Sequence, residues 1–98
     1  MAKIVIMPQA GETMEEGTVR EWLKKEGDPV KKGEILFAID TDKAYLEVES
    51  DYSGILKKIL VTQEDGSVPC LAPIGIIGEP DEIIDPAKIV EEYRAKPE

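Results

Sequence analysis

The chain has 98 residues, with 12 basic and 21 acidic side chains and a net charge of −9. This length fits one small domain with a shallow interior, so a deep substrate pocket that excludes water is not expected. The negative charge argues against a nucleic-acid partner, because phosphate binding needs basic side chains. The sequence contains no histidine and a single cysteine, Cys70, which removes the commonest general base and disfavours a metal site. The composition therefore points away from a metalloprotein and from a self-contained enzyme.

Membrane attachment is not expected either. No apolar run approaches the roughly 20 residues of a membrane-spanning helix. The first residues lack the apolar core of a signal peptide, since the run from Ile4 to Met7 is too short. These features, together with the lone cysteine, predict a cytoplasmic protein with no membrane partner.

Short apolar and β-branched segments follow one another along the chain, separated by turns that contain glycine or proline. Strands are predicted over residues 3–7, 18–23, 34–40, 44–50, 55–61 and 74–77, with a connector over 30–33. Strands this short and frequent indicate an all-β sandwich or barrel. A helix over residues 17–26 is the alternative, but its β-branched start and the glycines at both ends disfavour it.

An internal repeat points to two similar halves. The segment from Gly17 to Leu23 resembles the segment from Gly54 to Leu60, and each is followed by a glycine-containing turn. Val30 and Val68 come next in the two copies, and an apolar strand follows each. This pattern predicts halves of about four strands each, related by quasi-twofold symmetry.

The character of the chain changes after about residue 80. Asp85 and Pro86 suit the cap and the first position of a helix. Ile89, Val90 and Tyr93 then follow at helical spacing. We expect one domain over residues 1–80 and a tail over 81–98 that forms a short helix or a linker.

The strands on either side of Asp42 and Lys43 are predicted to form a hairpin. With these two residues in the turn, the predicted pairs are Thr41 with Ala44, Asp40 with Tyr45, Ile39 with Leu46, Ala38 with Glu47, Phe37 with Val48 and Leu36 with Glu49. This register puts apolar side chains on one face and mainly polar side chains on the other, and a shift by one residue would mix them. A turn of even length is therefore predicted, and loops of two or four residues both satisfy the pattern.

Lys43 is thereby predicted at an exposed hairpin tip. The carboxylates of Asp40 and Asp42 would favour the charged ammonium, which makes Lys43 a poor nucleophile as it stands. The tip instead offers an accessible amine that another enzyme can acylate.

The segment Thr41-Asp42-Lys43-Ala44 resembles the lipoylation motif of the lipoyl domains found in the dihydrolipoyl acyltransferase component of 2-oxo acid dehydrogenase complexes. The resemblance covers roughly residues 3–79. It is carried further by Met7-Pro8, the segment from Gly11 to Thr18, Trp22, the segment from Glu26 to Val30, Gly33-Glu34, the segment from Glu47 to Ser50, and Gly54. The chain departs from the family pattern at Ala10, where a larger apolar residue is usual, and at Pro69-Cys70-Leu71, which lacks a small glycine.

The resemblance implies a flattened barrel or sandwich of two four-stranded antiparallel sheets with the modified lysine at a hairpin tip. It implies lipoate in amide linkage on Lys43, attached by a lipoate ligase or a lipoyl or octanoyl transferase. It further implies a carrier without its own active site. The arm would take an acyl group from a thiamine-diphosphate-dependent dehydrogenase acting on a 2-oxo acid or acetoin. It would then deliver that group to an acyltransferase core and be reoxidised by dihydrolipoyl dehydrogenase.

The residues read by the modifying enzyme are expected around the hairpin. Asp42 and Ala44 flank the target and are the first candidates. Gly11, Glu12 and Thr13 are the second, because the family fold brings their loop near the hairpin.

Four alternatives remain open. A biotin carrier shares the fold, but biotinyl domains usually have methionine on both sides of the lysine, where this chain has Asp42 and Ala44. The lipoylated H protein of the glycine cleavage system is another, for which this chain is short. An acyltransferase would be expected to need a histidine. A structural β domain would leave Lys43 unmodified.

Overall fold

The computed structural model describes residues 2–9, 12–41 and 44–95. The elements in chain order are β1 (Lys3–Ile6), β2 (Glu16–Trp22), β3 (Pro29–Val30), β4 (Ile35–Asp40), β5 (Tyr45–Glu49), β6 (Gly54–Ile59), a 3-10 helix (Gln63–Asp65), β7 (Ser67–Pro69), β8 (Pro73–Gly78) and α1 (Pro86–Ala95). The strands form two four-stranded sheets with the orders β1-β8-β6-β3 and β5-β4-β2-β7, and all paired strands are antiparallel. The predicted all-β sandwich is confirmed.

The two sheets are related by quasi-twofold symmetry. Exchanging β1 with β5, β8 with β4, β6 with β2 and β3 with β7 converts one strand order into the other. The predicted equivalence of Val30 and Val68 is explained, since they lie in the short edge strands β3 and β7. Treating Val30 as part of a connector was wrong, because it pairs with Gly54 of β6.

The core fills the space between the two sheets. It is built from Met7, Val19, Val30, Leu36, Phe37, Ile39, Leu56, Ile74 and Ile77. Trp22 packs against Phe37 with ring centroids 5.0 Å apart, and its indole Nε1 donates a hydrogen bond of 2.8 Å to the Val61 carbonyl. The alternative of a helix over residues 17–26 is wrong, because β2 pairs with β4 and buries Val19.

The β4–β5 hairpin has the predicted register over most of its length. The pairs Asp40 with Tyr45, Ile39 with Leu46, Ala38 with Glu47 and Phe37 with Val48 are confirmed. The predicted pair of Leu36 with Glu49 is wrong. A β-bulge pairs Ile35 with Glu49 instead and leaves Leu36 as the extra residue. Because a bulge breaks the alternation of faces, Leu36 joins the core rather than the polar face and is 1% exposed.

The helix α1 is capped as its sequence indicates. The Lys88 main-chain N–H donates to the Asp85 carboxylate at 3.3 Å, and the Ile89 N–H donates to the Asp85 carbonyl at 3.0 Å. The hydroxyl of half-buried Tyr93 donates to the Leu71 carbonyl at 2.8 Å, which attaches the helix to the turn before β8. The domain boundary near residue 80 stays a prediction. In the part of the chain that the structure describes, no helix is long and apolar enough to cross a membrane.

The turn before β8 lies at the same end of the sandwich as the loop before β2. The Leu71 N–H donates to the Met7 carbonyl at 2.8 Å, and the Cys70 N–H donates to the Glu15 carbonyl at 2.9 Å. Leu71 has a φ of 73°, in the left-handed region that favours glycine. Leu71 lies in the segment Pro69-Cys70-Leu71, which lacks a glycine. Lys3 pairs with Ile77 at the other end of β1 and β8.

Candidate attachment site

The hairpin between β4 and β5 is closed by hydrogen bonds between Thr41 and Ala44. The Thr41 N–H donates to the Ala44 carbonyl at 2.8 Å. The Thr41 hydroxyl accepts from the Ala44 N–H at 3.0 Å and donates to the Ala44 carbonyl at 3.2 Å. Together with the register of Asp40 on Tyr45, these bonds confirm a turn of even length centred between positions 42 and 43. Asp42 and Lys43 themselves lie outside the described residues.

A cleft of about 500 Å³ lies beside the base of this hairpin. It is lined by Thr13, Met14, Glu15, Glu16, Gly17, Thr18, Asp40, Thr41 and Ser67. The loop before β2 is therefore next to the hairpin, as expected, and Thr13 faces the cleft. Glu12 is exposed in the same loop without lining the cleft, and Gly11 is outside the described residues. The recognition roles of Asp42, Ala44, Gly11, Glu12 and Thr13 remain predictions.

A charged contact that the sequence did not indicate joins three strands at this end of the sheet. Arg20 Nη1 lies 2.7 Å from Asp40 Oδ2, and the guanidinium carbon lies 6.0 Å from the centroid of the Tyr45 ring. The hydrogen bond and the charge of Asp40 raise the pKa of the Arg20 guanidinium above its ordinary value. A basic residue in β2 and an acidic residue ending β4 were the only sequence signal, and the pairing of β2 with β4 that brings them together could not be read from it.

Two observations describe the side chains that could carry metal or thiol chemistry near the cleft. Among the described residues, no cluster of three or more histidine, cysteine, aspartate or glutamate side chains could hold a metal ion. The thiol of half-buried Cys70 lies 3.6 Å from the Pro8 carbonyl oxygen and 3.5 Å from that of Met14. These contacts are those of a structural side chain at a turn.

Comparison with known proteins places the chain among cofactor-attachment domains. The family model described as "Biotin-requiring enzyme" matches residues 3–75, which include all eight strands at least in part. The dihydrolipoyllysine-residue acetyltransferase component of the pyruvate dehydrogenase complex from Rickettsia prowazekii is 46% identical over 78 residues, which are 80% of this chain and 19% of that protein. The pyruvate dehydrogenase E1 component subunit beta from Rhizobium meliloti is 40% identical over 87 residues, which are 86% of this chain and 19% of that protein. The chain thus spans about a fifth of the length of these relatives.

A solved structure matches in fold as well as in sequence. The lipoyl domain of the 2-oxoglutarate dehydrogenase complex from Azotobacter vinelandii aligns with a TM-score of 0.60 and 30% identity, over 79% of this chain and 98% of that domain. The match in fold extends over nearly the whole of that domain, and the family model covers about three quarters of this chain. The chain therefore belongs to the biotin- and lipoyl-attachment family.

Proposed function

We propose that the chain is a lipoyl carrier domain in which Lys43 bears lipoate in amide linkage. The observation that carries the proposal is the hairpin closed by Thr41 and Ala44, whose turn is centred on Asp42 and Lys43. Ala44 is exposed and Thr41 is half-buried, so this end of the sheet is open to a large modifying enzyme. Lipoate is favoured over biotin because Asp42 and Ala44 replace the methionines usual in biotinyl domains. The solved relative is also a lipoyl domain.

Attachment transfers an acyl group to the lysine. An amide bond forms between Nζ of Lys43 and the carboxyl carbon of the acyl group, the amine loses a proton, and the activating group leaves with the bonding electron pair. A lipoate ligase would supply lipoyl adenylate, and a transferase would supply an octanoyl or lipoyl thioester. The product is neutral, so modification removes the positive charge of Lys43.

Bound lipoate supplies a disulfide that takes up an acyl group and reducing equivalents, while the protein supplies position and recognition. The β4–β5 hairpin presents the arm from a sheet whose inner face packs into the core. The partners we propose are a thiamine-diphosphate-dependent dehydrogenase, an acyltransferase core and dihydrolipoyl dehydrogenase. Pyruvate is the first 2-oxo acid to test, because the two relatives that match at 40% identity or more belong to pyruvate dehydrogenases, and 2-oxoglutarate is the second, because the solved relative belongs to that complex.

Intact-mass measurement after coexpression with a lipoate ligase tests the attachment. Wild type and Lys43→Ala are compared with Lys25→Ala, which removes an exposed lysine from a different turn. The expected result is a lipoyl adduct on wild type and on Lys25→Ala, and none on Lys43→Ala. An unmodified wild type, or an adduct that survives Lys43→Ala, refutes the proposal. An adduct obtained only with biotin and a biotin ligase would make the chain a biotin carrier.

Acyl loading tests the carrier role. Lipoylated wild type incubated with pyruvate and a pyruvate dehydrogenase subunit should gain an acetyl group, as read by mass. The unmodified chain incubated with acetyl-CoA and free dihydrolipoamide should transfer nothing. Acyl transfer by the unmodified chain alone would show that it is an enzyme rather than a carrier.

A further inference from the structure

Arg20 contacts both strands of the β4–β5 hairpin at the point where the hairpin leaves the sheet. We propose that Arg20 is a positioning residue for modification of Lys43. It would hold the base of the hairpin in the orientation that the lipoylating enzyme recognises. This inference rests on the proposed function and assigns a role to a residue outside the lipoylation motif.

The placement of Arg20 follows from the pairing of β2 with β4, at a bulge in β2. Val19 pairs with Ile39 and Glu21 pairs with Ala38, so Arg20 is the extra residue between two consecutive pairs. Thr18 is the partner of Asp40, so Arg20, two positions further along β2, lies on the same face of the sheet as Asp40 and reaches its carboxylate diagonally. The bulge begins after Val19, and Arg20 keeps the alternation of buried Val19 and exposed Arg20.

The contacts of Arg20 join the two ends of the hairpin to a third strand. Asp40 is the last residue of β4, Tyr45 is the first residue of β5, and the two are paired with each other. Arg20 Nη1 lies 2.7 Å from the Asp40 carboxylate, and its guanidinium lies over the Tyr45 ring at 6.0 Å. One side chain of β2 therefore contacts both strands at the pair next to the Thr41–Ala44 closure of the hairpin.

The stability of the fold does not explain this arrangement. The side chains of Arg20 and Asp40 are 56% and 36% exposed, and exposed ion pairs contribute little to folding stability. The pairs just below, Val19 with Ile39 and Phe37 with Val48, are held by the packed core. Removing the guanidinium should thus leave the fold intact and loosen only the base of the hairpin.

The charge of Arg20 has a second consequence for the lysine. Asp40 is three positions before Lys43 in the chain, and its carboxylate is engaged by Arg20. Without the guanidinium, Asp40 would be an unpaired carboxylate at the base of the hairpin, able to attract a lysine ammonium toward the sheet. Arg20 therefore acts in two ways, by restraining the strands at the base of the hairpin and by engaging the Asp40 carboxylate.

Steady-state kinetics of lipoylation by a purified lipoate ligase tests the proposal, with the unmodified domain as the varied substrate. The variants are Arg20→Gln, which removes the charge, and Arg20→Lys, which keeps it. Arg94→Gln is the matched control, because it makes the same change on α1 at the other arginine of the chain. If only a fraction of the domains has the orientation that the ligase recognises, the KM for the domain rises in inverse proportion to that fraction, while kcat is unchanged.

The expected result is a KM raised by about tenfold for Arg20→Gln, corresponding to about 1.4 kcal/mol. Arg20→Lys should recover part of this loss, and Arg94→Gln should match wild type. The urea midpoint should be the same for all three variants. Amide NMR signals of Tyr45 and Thr41 should shift in Arg20→Gln and not in Arg94→Gln.

Two kinds of failure are distinguishable. If wild type and Arg94→Gln are not lipoylated, the proposed function itself fails. If they are lipoylated and Arg20→Gln has the wild-type KM, the positioning role is overturned. A raised KM together with a lowered urea midpoint in Arg20→Gln, and no recovery of either in Arg20→Lys, would also overturn it. Arg20 would then act by stabilising the fold.

Discussion

Leu71 provides a sharp test of backbone strain near the hairpin end. Among the described residues it is the one non-glycine residue with a positive φ, 73°. A residue with a Cβ loses about 1–2 kcal/mol in the left-handed region, a cost that glycine escapes. Glycine in turn makes the unfolded chain more flexible, which lowers stability by about 0.4–1 kcal/mol relative to alanine. We therefore expect Leu71→Gly to be more stable than Leu71→Ala by about 0.5–1 kcal/mol.

The comparison between these two variants isolates the backbone, since both remove the same half-exposed side chain. Urea unfolding followed by the fluorescence of Trp22, the single tryptophan, measures the free energy of unfolding. Leu23→Gly and Leu23→Ala form the control pair, because Leu23 is 45% exposed, close to the 48% of Leu71, and has no positive φ. At position 23 the glycine variant should have a lower free energy of unfolding than the alanine variant, as is usual for a residue with a negative φ. The same order at both positions would refute the reasoning.

Three further perturbations test other contacts. Trp22→Phe removes the indole donor to a main-chain carbonyl and should lower the free energy of unfolding by about 1–3 kcal/mol, measured by circular dichroism in urea; an unchanged value would show that the bond contributes nothing. Tyr93→Phe removes the hydrogen bond to Leu71 and should speed amide hydrogen exchange in α1 but not in the β-sheets, whereas equal exchange in both proteins would mean that the helix is held otherwise. Glu34 has a pKa lowered below 4.5, first by the hydrogen bond from the Lys31 main-chain N–H, so its stabilisation is complete above pH 4.5 and is lost as the pH falls through the folded-state value. Glu34→Gln should accordingly lose less stability than wild type on acidification below pH 4.5, and parallel pH curves would contradict this.

The hairpin register could be predicted because β5 has one half-buried and one exposed face. Leu46 and Val48 alternate with exposed polar residues, and only one register places them opposite Ile39 and Phe37. Leu36 was assigned to the wrong face, because a bulge leaves no mark in an alternation pattern when the residues around it are also apolar. The edge strands β3 and β7 were not predicted as separate strands, since two and three residues are too few to show a period.

The candidate site could also be predicted only in part. The position of the turn followed from local alternation, and the resemblance supplied the expected cofactor on Lys43. The contact of Arg20 with Asp40 depends on the pairing of β2 with β4, which joins residues 20 positions apart in the chain. The absence of a glycine at Leu71 was visible in the sequence, but the positive φ that makes it costly appears only in the folded turn.

The helix α1 brings the chain back from one end of the sandwich to the other. β8 carries the chain to the end away from the hairpin, where Gly78 pairs with Ile55. The ten residues of α1, about 15 Å long, then return to within one tyrosine side chain of Leu71. In any longer protein that continues from α1, the following linker would start at the hairpin end of the domain rather than at the opposite end. The distance that the domain can move from the rest of such a protein would then depend on whether α1 stays docked. A detached α1 would add its own length to the linker without any change in sequence.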